Sequence, residues 1–267
     1  MRDDKLERKI TSDEITTFCG ASGDSQWLHN VELMREKGKY PIVPGIMTLM
    51  YSLMPHLGFM RKPTTIDAFF PNRFLSAGET IVVPDQDQDV HELLANTAAG
   101  DPLFERERGR YSGIYNDHPY LLSCVDGRAA GMEPEMQKVG AFQKLFGFAD
   151  DVGPLFYAMA YSSHVLLQHL SSPRPGDETT LVEEMGRAHR PIIPVETGVH
   201  YHLPKGIIDV GDARIAYSCE IRLSGKRDAS ARVAAEIESG QIFSAKYDLL
   251  RAPGLVVLNG AKPLRES

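Results

Sequence analysis

The chain of 267 residues is 42% hydrophobic and 24% charged, proportions that are typical of globular proteins and exclude a mostly disordered or fibrous chain. Its formal net charge of -7 argues against general binding to nucleic acid, because affinity for phosphate backbones depends on clustered lysine and arginine. The length allows one large domain or two modules of about 130 residues.

Cysteine use and hydropathy predict a cytoplasmic protein. Cys19, Cys124 and Cys219 show no C-x-x-C spacing, so we expect reduced thiols rather than a disulfide framework or a zinc cluster. The first residues are charged and are followed by no apolar run of the signal-peptide type. The longest apolar stretch, residues 42–60, is interrupted by proline, histidine and glycine, and is too broken to span a bilayer.

Three helices are predicted in the first part of the chain. Residues 11–14 carry a capping signal, which predicts a short helix that ends at Gly20. A second short helix is expected from Val31 to Lys37, stopped by Gly38. The segment Pro44 to Leu57 is apolar on all sides, which is typical of a buried central helix.

Antiparallel strands are predicted to follow. Residues 74–83, 90–97 and 102–111 have strand-like composition, with a turn at residues 99–101. Residues 117–137 contain several glycine, aspartate and proline residues and no sustained periodicity, so they are predicted to form a linker.

The same order of elements recurs after the predicted linker. Gly153-Pro154 opens a second apolar helix over residues 155–170, and four strands are predicted at 198–202, 212–223, 231–238 and 241–250. The chain is therefore interpreted as two α+β modules, residues 1–116 and 138–267, joined by the linker. Each module is expected to wrap an antiparallel sheet around its central helix.

The segment "SGDSQWLH" carries the strongest chemical signal. Ser22, Gly23, Asp24, Leu28 and His29 match the pattern S-G-D-x-N-P-[LI]-H, and "PIVPGIM" at residues 41–47 follows it. On these residues the N-terminal module resembles the MaoC-like (R)-specific enoyl-thioester hydratase/dehydratase family, and the duplicated layout resembles the double hot-dog fold.

Several positions depart from that family's pattern. Gln26 replaces the usual asparagine, Trp27 the usual proline, and Pro44 stands where a histidine commonly precedes the glycine. Residues 139–152 contain no D-x4-H sequence, so the C-terminal module is expected to be catalytically degenerate and to complete the substrate tunnel.

The resemblance implies a hydro-lyase that adds or removes water on an enoyl or 3-hydroxyacyl thioester of coenzyme A or acyl carrier protein. Asp24 and His29 would be the acid/base pair, since a carboxylate and an imidazole can hold one water between them and exchange its proton. The amide of Gly45 would bind the thioester oxygen, because free N–H groups at a helix N-terminus favour negative charge. Expected substrate-binding residues are Gln26, Trp27, Pro44, Thr48, Arg61, Lys62 and Arg73.

The last three of these residues are chosen for their charge. Residues 35–73 contain six basic and two acidic side chains, which favours either a solvated positive surface or a contact with carrier phosphates. The expected partners are the acyl thioester and a second copy of the chain as a homodimer, with neither nucleic acid nor membrane. No metal and no cofactor are expected.

Two other functions stay open at this point. The same fold could serve a thioesterase in which Asp24 directs water at the thioester carbonyl, or an acyl-thioester-binding protein without catalysis. Asp24 could also be an ordinary Asx-turn residue, and His29 the cap of the following helix.

Two further groups of residues are interpreted as structural rather than catalytic. His200 and His202 would share one face of a strand, a spacing that suits a metal, but partly exposed strand histidines are the favoured interpretation. Ser162-Ser163-His164 lies inside the second apolar helix without the G-x-S-x-G turn of a serine nucleophile, and is interpreted as helix packing.

Overall fold

The computed structural model describes residues 6–71, 74–83, 92–107, 109–116, 128–132, 136–171, 192–224, 228–253 and 261–264. Five α-helices lie within these residues: α1 (Ser12–Ser22), α2 (Val31–Glu36), α3 (Gly45–Leu53), α4 (Met136–Phe146) and α5 (Gly153–Ser171). Short 3₁₀ helices occur at Trp27–His29, Met54–His56 and Phe59–Arg61.

The described strands form two sheets. They are β1 (Leu6–Lys9), β2 (Thr64–Phe69), β3 (Thr80–Val83), β4 (Asn96–Thr97), β5 (Gly113–Asn116), β6 (Arg128–Met132), β7 (Ile192–Leu203), β8 (Ile215–Ser224), β9 (Asp228–Ile237) and β10 (Gly240–Pro253). The larger sheet has the order β5-β2-β7-β10-β9-β8-β6, and the smaller one the order β1-β3-β4. Every neighbouring pair is antiparallel.

The larger sheet runs through both halves of the chain. Strand β2 from the N-terminal half pairs with β7 from the C-terminal half, from Thr64 opposite Leu203 to Phe69 opposite Gly198. All six residues of β2 are buried, so both of its faces are covered. This shared ladder fixes the two halves relative to each other.

Helix α5 is held against the larger sheet by tyrosine hydroxyls. Tyr201 on β7 donates to the Met159 carbonyl at 3.0 Å, and Tyr217 on β8 donates to the Ala158 carbonyl at 3.2 Å. These contacts satisfy carbonyl groups and hydroxyls that are buried together, where an unpaired polar group would be costly. The helix therefore has a fixed rotation, which determines the side chains that it presents elsewhere.

Helices α1, α3 and α4 complete the core around α5. Eight residues of α3, Ile46 to Leu53, are buried, as expected for a central helix. The Phe18 ring of α1 contacts the rings of Phe142 and Phe146 on α4, with centroids 6.3 and 6.0 Å apart. In addition, the Tyr157 hydroxyl of α5 donates to the Ala21 carbonyl at 3.1 Å, which ties the end of α1 to the C-terminal half.

Two helix boundaries differ from the sequence-based expectation. Helix α1 continues past Gly20 to Ser22, because one helical glycine costs only about 1 kcal/mol and the left-handed conformation that ends the helix is at Gly23, with φ of 76°. The predicted helix 44–57 is α-helical only to Leu53 and continues as a 3₁₀ turn, since Pro55 has no N–H to donate.

Several elements were not expected from the sequence. Strand β2 has no alternation of polar and apolar residues because it is buried on both faces, and α4 was not predicted at all. The predicted linker contains β6, which pairs with β8, and the start of α4 at Met136. In the described part of residues 90–111, only Asn96–Thr97 form a strand, followed by a turn at Gly100.

Candidate active site

The loop after α1 turns sharply, and hydrogen bonds within this loop orient the carboxylate of Asp24. Gly23 adopts the left-handed conformation, and its N–H donates to the Cys19 carbonyl at 2.9 Å. The Gln26 N–H then donates to Asp24 Oδ1 at 3.0 Å, which is the Asx turn considered above. This hydrogen bond holds one carboxylate oxygen and leaves the other, Oδ2, for a second contact.

The second contact is His29. Its Nε2 lies 3.6 Å from Asp24 Oδ2, and its Nδ1 lies 2.7 Å from the Ile42 carbonyl oxygen. A carbonyl can only accept, so Nδ1 carries the proton and Nε2 of the neutral ring is free to accept one. The separation of 3.6 Å is too long for a direct hydrogen bond, and both atoms can accept a hydrogen bond from one water molecule placed beside them.

The first turn of α3 lies beside this pair. Pro44 is the N-cap residue and Gly45 the first helical residue, whose N–H has no acceptor within the helix. The ring of Phe70 packs over Gly45. A Cβ atom on Gly45 would be 3.2–3.3 Å from carbons of the Phe70 ring. The glycine therefore lets an aromatic wall come close to the helix start.

Asp24, His29 and Gly45 line one cavity of about 290 Å³. Of the predicted substrate-binding residues, Gln26, Pro44 and Thr48 also line it. Most of its wall is apolar and comes from both halves of the chain, including Phe18, Leu28, Ile42, Val43, Ile46, Phe70, Phe74, Leu75, Leu103, Ala160, Val195 and Leu250. A largely apolar cavity with a small number of placed polar groups is the usual form of a small-molecule site.

The C-terminal half adds four polar residues to the lining of this cavity: Ser163, His164, Glu196 and Thr197. Ser162 packs into the core as interpreted, where it hydrogen-bonds with Tyr247, whereas Ser163 and His164 also line this cavity. The Ser163 hydroxyl donates to Glu196 Oε1.

Glu196 was missed in the sequence. Its strand, β7, also contains threonine, tyrosine and two histidines, and no local sequence feature marked Glu196 for the cavity. Burial and the nearby charge of Asp24 raise its pKa to about 7, although the hydrogen bond from Ser163 opposes this shift. At neutral pH a substantial fraction of Glu196 is therefore a neutral carboxylic acid that can donate a hydrogen bond.

A second, more polar groove of about 360 Å³ lies on the other side of the pair. It shares Asp24, Gln26 and His29 with the apolar cavity, and is further lined by Thr16, Cys19, Ser25, Asn30, Val31, Glu32 and Arg35. The Asp24–His29 pair thus lies between an apolar cavity and a polar one.

The remaining predicted binding residues are not brought into the cavity. Trp27 does not line the cavity, because successive side chains of a 3₁₀ helix point about 120° apart. The Lys37 ammonium lies over the Trp27 ring, 5.8 Å from the ring centre. Arg61 is exposed and 3.6 Å from Asp151, and Lys62 is exposed nearby. Arg73 lies outside the described residues.

His200 is buried rather than partly exposed, which corrects the sequence-based interpretation. Its Nδ1 is 2.8 Å from Asp67 Oδ1 and its Nε2 is 3.0 Å from Asp248 Oδ2, while Arg110 donates to the other oxygen of Asp67. Burial lowers the pKa of His200, but the hydrogen bonds to both carboxylates outweigh it and leave that pKa raised. Among the described residues, no group of histidine, cysteine and acidic side chains could hold a metal ion.

Comparison with solved structures supports the architecture. A MaoC-like dehydratase superposes with a TM-score of 0.52 at 11% identity, covering 93% of this chain and 98% of that one. A MaoC-like dehydratase from Phytophthora capsici gives 0.50 at 9% identity, covering 95% and 97%. The peroxisomal multifunctional enzyme type 2 from Drosophila melanogaster gives 0.51 at 11% identity over 92% of this chain, which spans only 48% of that enzyme.

The sequence itself matches no protein-family model and no curated protein. None of the helices in the described part of the chain combines the length and apolarity needed to cross a bilayer. The expected α+β architecture is confirmed by the antiparallel sheets, the central helices and the structural similarity over nearly the whole chain. The chain therefore has the double hot-dog fold of the MaoC-like dehydratases.

Proposed function

We propose that the protein is a hydro-lyase that adds or removes water on an enoyl or 3-hydroxyacyl thioester of coenzyme A or acyl carrier protein. The observation that carries this proposal is the Asp24–His29 pair, 3.6 Å apart, which lines a largely apolar cavity together with the first residue of α3. The carboxylate, imidazole and helix N-terminus are the three groups that the reaction requires.

In the proposed hydration, a water molecule binds between Asp24 Oδ2 and His29 Nε2. The neutral imidazole takes a proton from this water while its oxygen forms a bond to the β carbon of the enoyl group. His29 then delivers this proton to the α carbon, and the C=C double bond becomes a single bond, so that one water is added and both residues return to their starting state. Dehydration is the same sequence in reverse.

Negative charge develops on the thioester oxygen during this addition. The Gly45 N–H, unpaired within α3 and reinforced by the helix dipole, is the donor that we assign to it. The carbonyl of Ile42 holds the Nδ1 proton of His29, so the ring keeps its Nε2 lone pair directed at the water.

The two cavities have separate roles in this proposal. The acyl chain occupies the apolar cavity, whose wall of aromatic and aliphatic side chains contributes binding energy as apolar surface leaves water. Water reaches the pair from the polar groove on its other side. Arg61, Lys62 and Arg73 remain candidates for contact with carrier phosphates, and Arg61 must then exchange its surface contact with Asp151.

Hydration is separated from thioester hydrolysis by following two products at once. The protein is mixed with crotonyl-coenzyme A, and the enoyl absorbance and the free thiol are recorded together. We expect loss of the enoyl absorbance without release of thiol. Thiol release from both crotonyl and butyryl thioesters would instead identify a thioesterase, and tight binding without either change would identify a binding protein.

A further inference from the structure

The side chain of Glu196 reaches the cavity because of an irregularity in β7. Residues along a strand alternate between two faces: Tyr201 points to α5, where it donates to the Met159 carbonyl, and His200 points the opposite way to Asp67. Strict alternation would give Glu196 the same face as His200. The contact of Glu196 with Ser163 on α5 shows that its side chain points instead to the face that Tyr201 occupies.

The register of β7 and β10 explains this reversal. Asp248 pairs with Gly198, but the next residue, Leu249, pairs with Glu196, so Thr197 is an extra residue that forms a β-bulge. The Thr197 carbonyl accepts from the Phe70 N–H at 2.9 Å, and its hydroxyl donates to the Asp248 carbonyl at 3.1 Å. The bulge is thus hydrogen-bonded on both sides and re-aims Glu196 toward the cavity.

Most of the wall of the cavity that Glu196 lines is apolar. Val195, Leu103 and Leu250 are among the apolar residues of this wall, and the Ser163 hydroxyl donates to the Glu196 carboxyl group. An alkyl chain lying against this group would remove it from water without offering a hydrogen bond, which is unfavourable. An oxygen atom on the chain would accept the proton of the neutral acid instead.

We propose that Glu196 and Ser163 form a polar subsite that selects acyl thioesters with an additional hydroxyl or carbonyl oxygen on the acyl chain. This oxygen is distinct from the thioester carbonyl and from the position that gains the water. The inference rests on the proposed function, because it assigns a substrate class to the cavity beside the Asp24–His29 pair. Sites that hydrogen-bond a substrate oxygen reject analogues that lack it more strongly than apolar pockets reject an added group.

The test compares matched coenzyme A thioesters: trans-2-hexenoyl and its 5-oxo and 6-hydroxy derivatives. For the unaltered protein we expect kcat/KM for at least one oxygenated thioester to exceed that of the plain one by about tenfold or more. Glu196→Gln keeps a donor and should retain most of this ratio. Glu196→Leu removes it and should reverse the preference toward the plain chain.

Two controls keep a folding defect from being mistaken for lost selectivity. Thermal unfolding of each variant is recorded, and binding of hexanoyl- and 6-hydroxyhexanoyl-coenzyme A is measured by calorimetry, which needs no turnover. Ser163→Ala, a smaller change in the same subsite, should lower the preference in the same direction as Glu196→Leu.

The subsite is refuted if the unaltered protein shows no preference for either oxygenated thioester, or if Glu196→Leu keeps the ratio of the unaltered protein. Failure of the proposed reaction looks different. In that case Asp24→Asn leaves turnover unchanged, while Glu196→Leu still alters the ratio of binding affinities for the saturated pair.

Discussion

The imidazole ring of His164 lies directly against the backbone of Gly23: a Cβ atom on Gly23 would be 3.0 Å from His164 Cγ. This contact joins α5 of the C-terminal half to the loop that carries Asp24. Glycine is favoured at position 23 for two reasons. The His164 ring leaves little room for a Cβ atom, and the backbone has a φ of 76°. The second half of the chain therefore helps to set the position of the candidate acid.

Gly23→Ala should consequently displace both the loop and His164. We expect the free energy of unfolding to fall by about 1–2 kcal/mol from the left-handed backbone alone, with a loss of turnover as Asp24 moves. Gly20→Ala is the matched control, because Gly20 is exposed within α1 and has nothing within 4 Å of its Cβ position. This control should raise stability by up to about 1 kcal/mol. Equal effects of the two changes, measured by chemical denaturation, would contradict the role given to Gly23.

Gly45→Ala should crowd the aromatic wall over the start of α3. The added methyl group would be 3.2–3.3 Å from the Phe70 ring, closer than ordinary contact, so the ring, which lines the cavity, must move by a few tenths of an ångström. We expect a decrease in kcat/KM of roughly tenfold with little loss of stability, since one misplaced contact can cost about that or more. The double variant Gly45→Ala/Phe70→Leu should recover part of the lost activity, because the smaller side chain makes room. No recovery would show that the crowding is not the cause.

The buried His200 cluster predicts a pH dependence of stability. Its folded-state pKa is raised, so its stabilising contribution is fully present below the unfolded pKa of about 6.5 and is lost as pH rises through the folded value. Asp67 and Asp248 have lowered pKa values, the latter about 2, so the contribution of each is present above its unfolded pKa and is lost as pH falls through its own folded pKa. Stability should therefore peak between these two ranges.

His200→Gln tests this account by denaturation at several pH values. Since Asp67 and His200 are both buried, removing one partner should cost about 3–5 kcal/mol near pH 5.5, and less at alkaline pH. His202→Gln is the control: burial lowers the pKa of His202, so the unaltered residue contributes a stability that rises with pH through this range. A His200 variant with the same pH profile as the unaltered protein would contradict the charged state assigned to this residue.

Local sequence signals predicted part of this molecule well. Thr11 and Glu14 form the capping box that the sequence indicated, and the apolar segment from Gly45 to Leu53 is a buried helix. These features depend on neighbours within a few residues. Asp24 and His29 also fall on one short loop, so their approach could be anticipated from spacing, while their catalytic role remains a prediction.

The features that the sequence did not predict depend on contacts between residues that are far apart in the chain. Glu196 reaches the cavity only because Thr197 bulges out of the ladder with β10, and no local pattern marks that register shift. His200 is buried where it pairs with Asp67 across the β2–β7 ladder. The two residues are 133 positions apart in the chain. Such long-range pairing is set by the whole sheet, and the isolated strand sequence gives no sign of it.

The central claim is that Asp24 and His29 share the reacting water, and the most direct measurement is the rate of crotonyl-coenzyme A hydration by Asp24→Asn. Asp13→Asn, the same chemical change on an exposed turn of α1, is the control. We predict that Asp24→Asn lowers kcat by about 10²–10⁴-fold while thermal unfolding stays near that of the unaltered protein, and that Asp13→Asn keeps full activity. Hydration by Asp24→Asn at the rate of the unaltered protein would contradict the account.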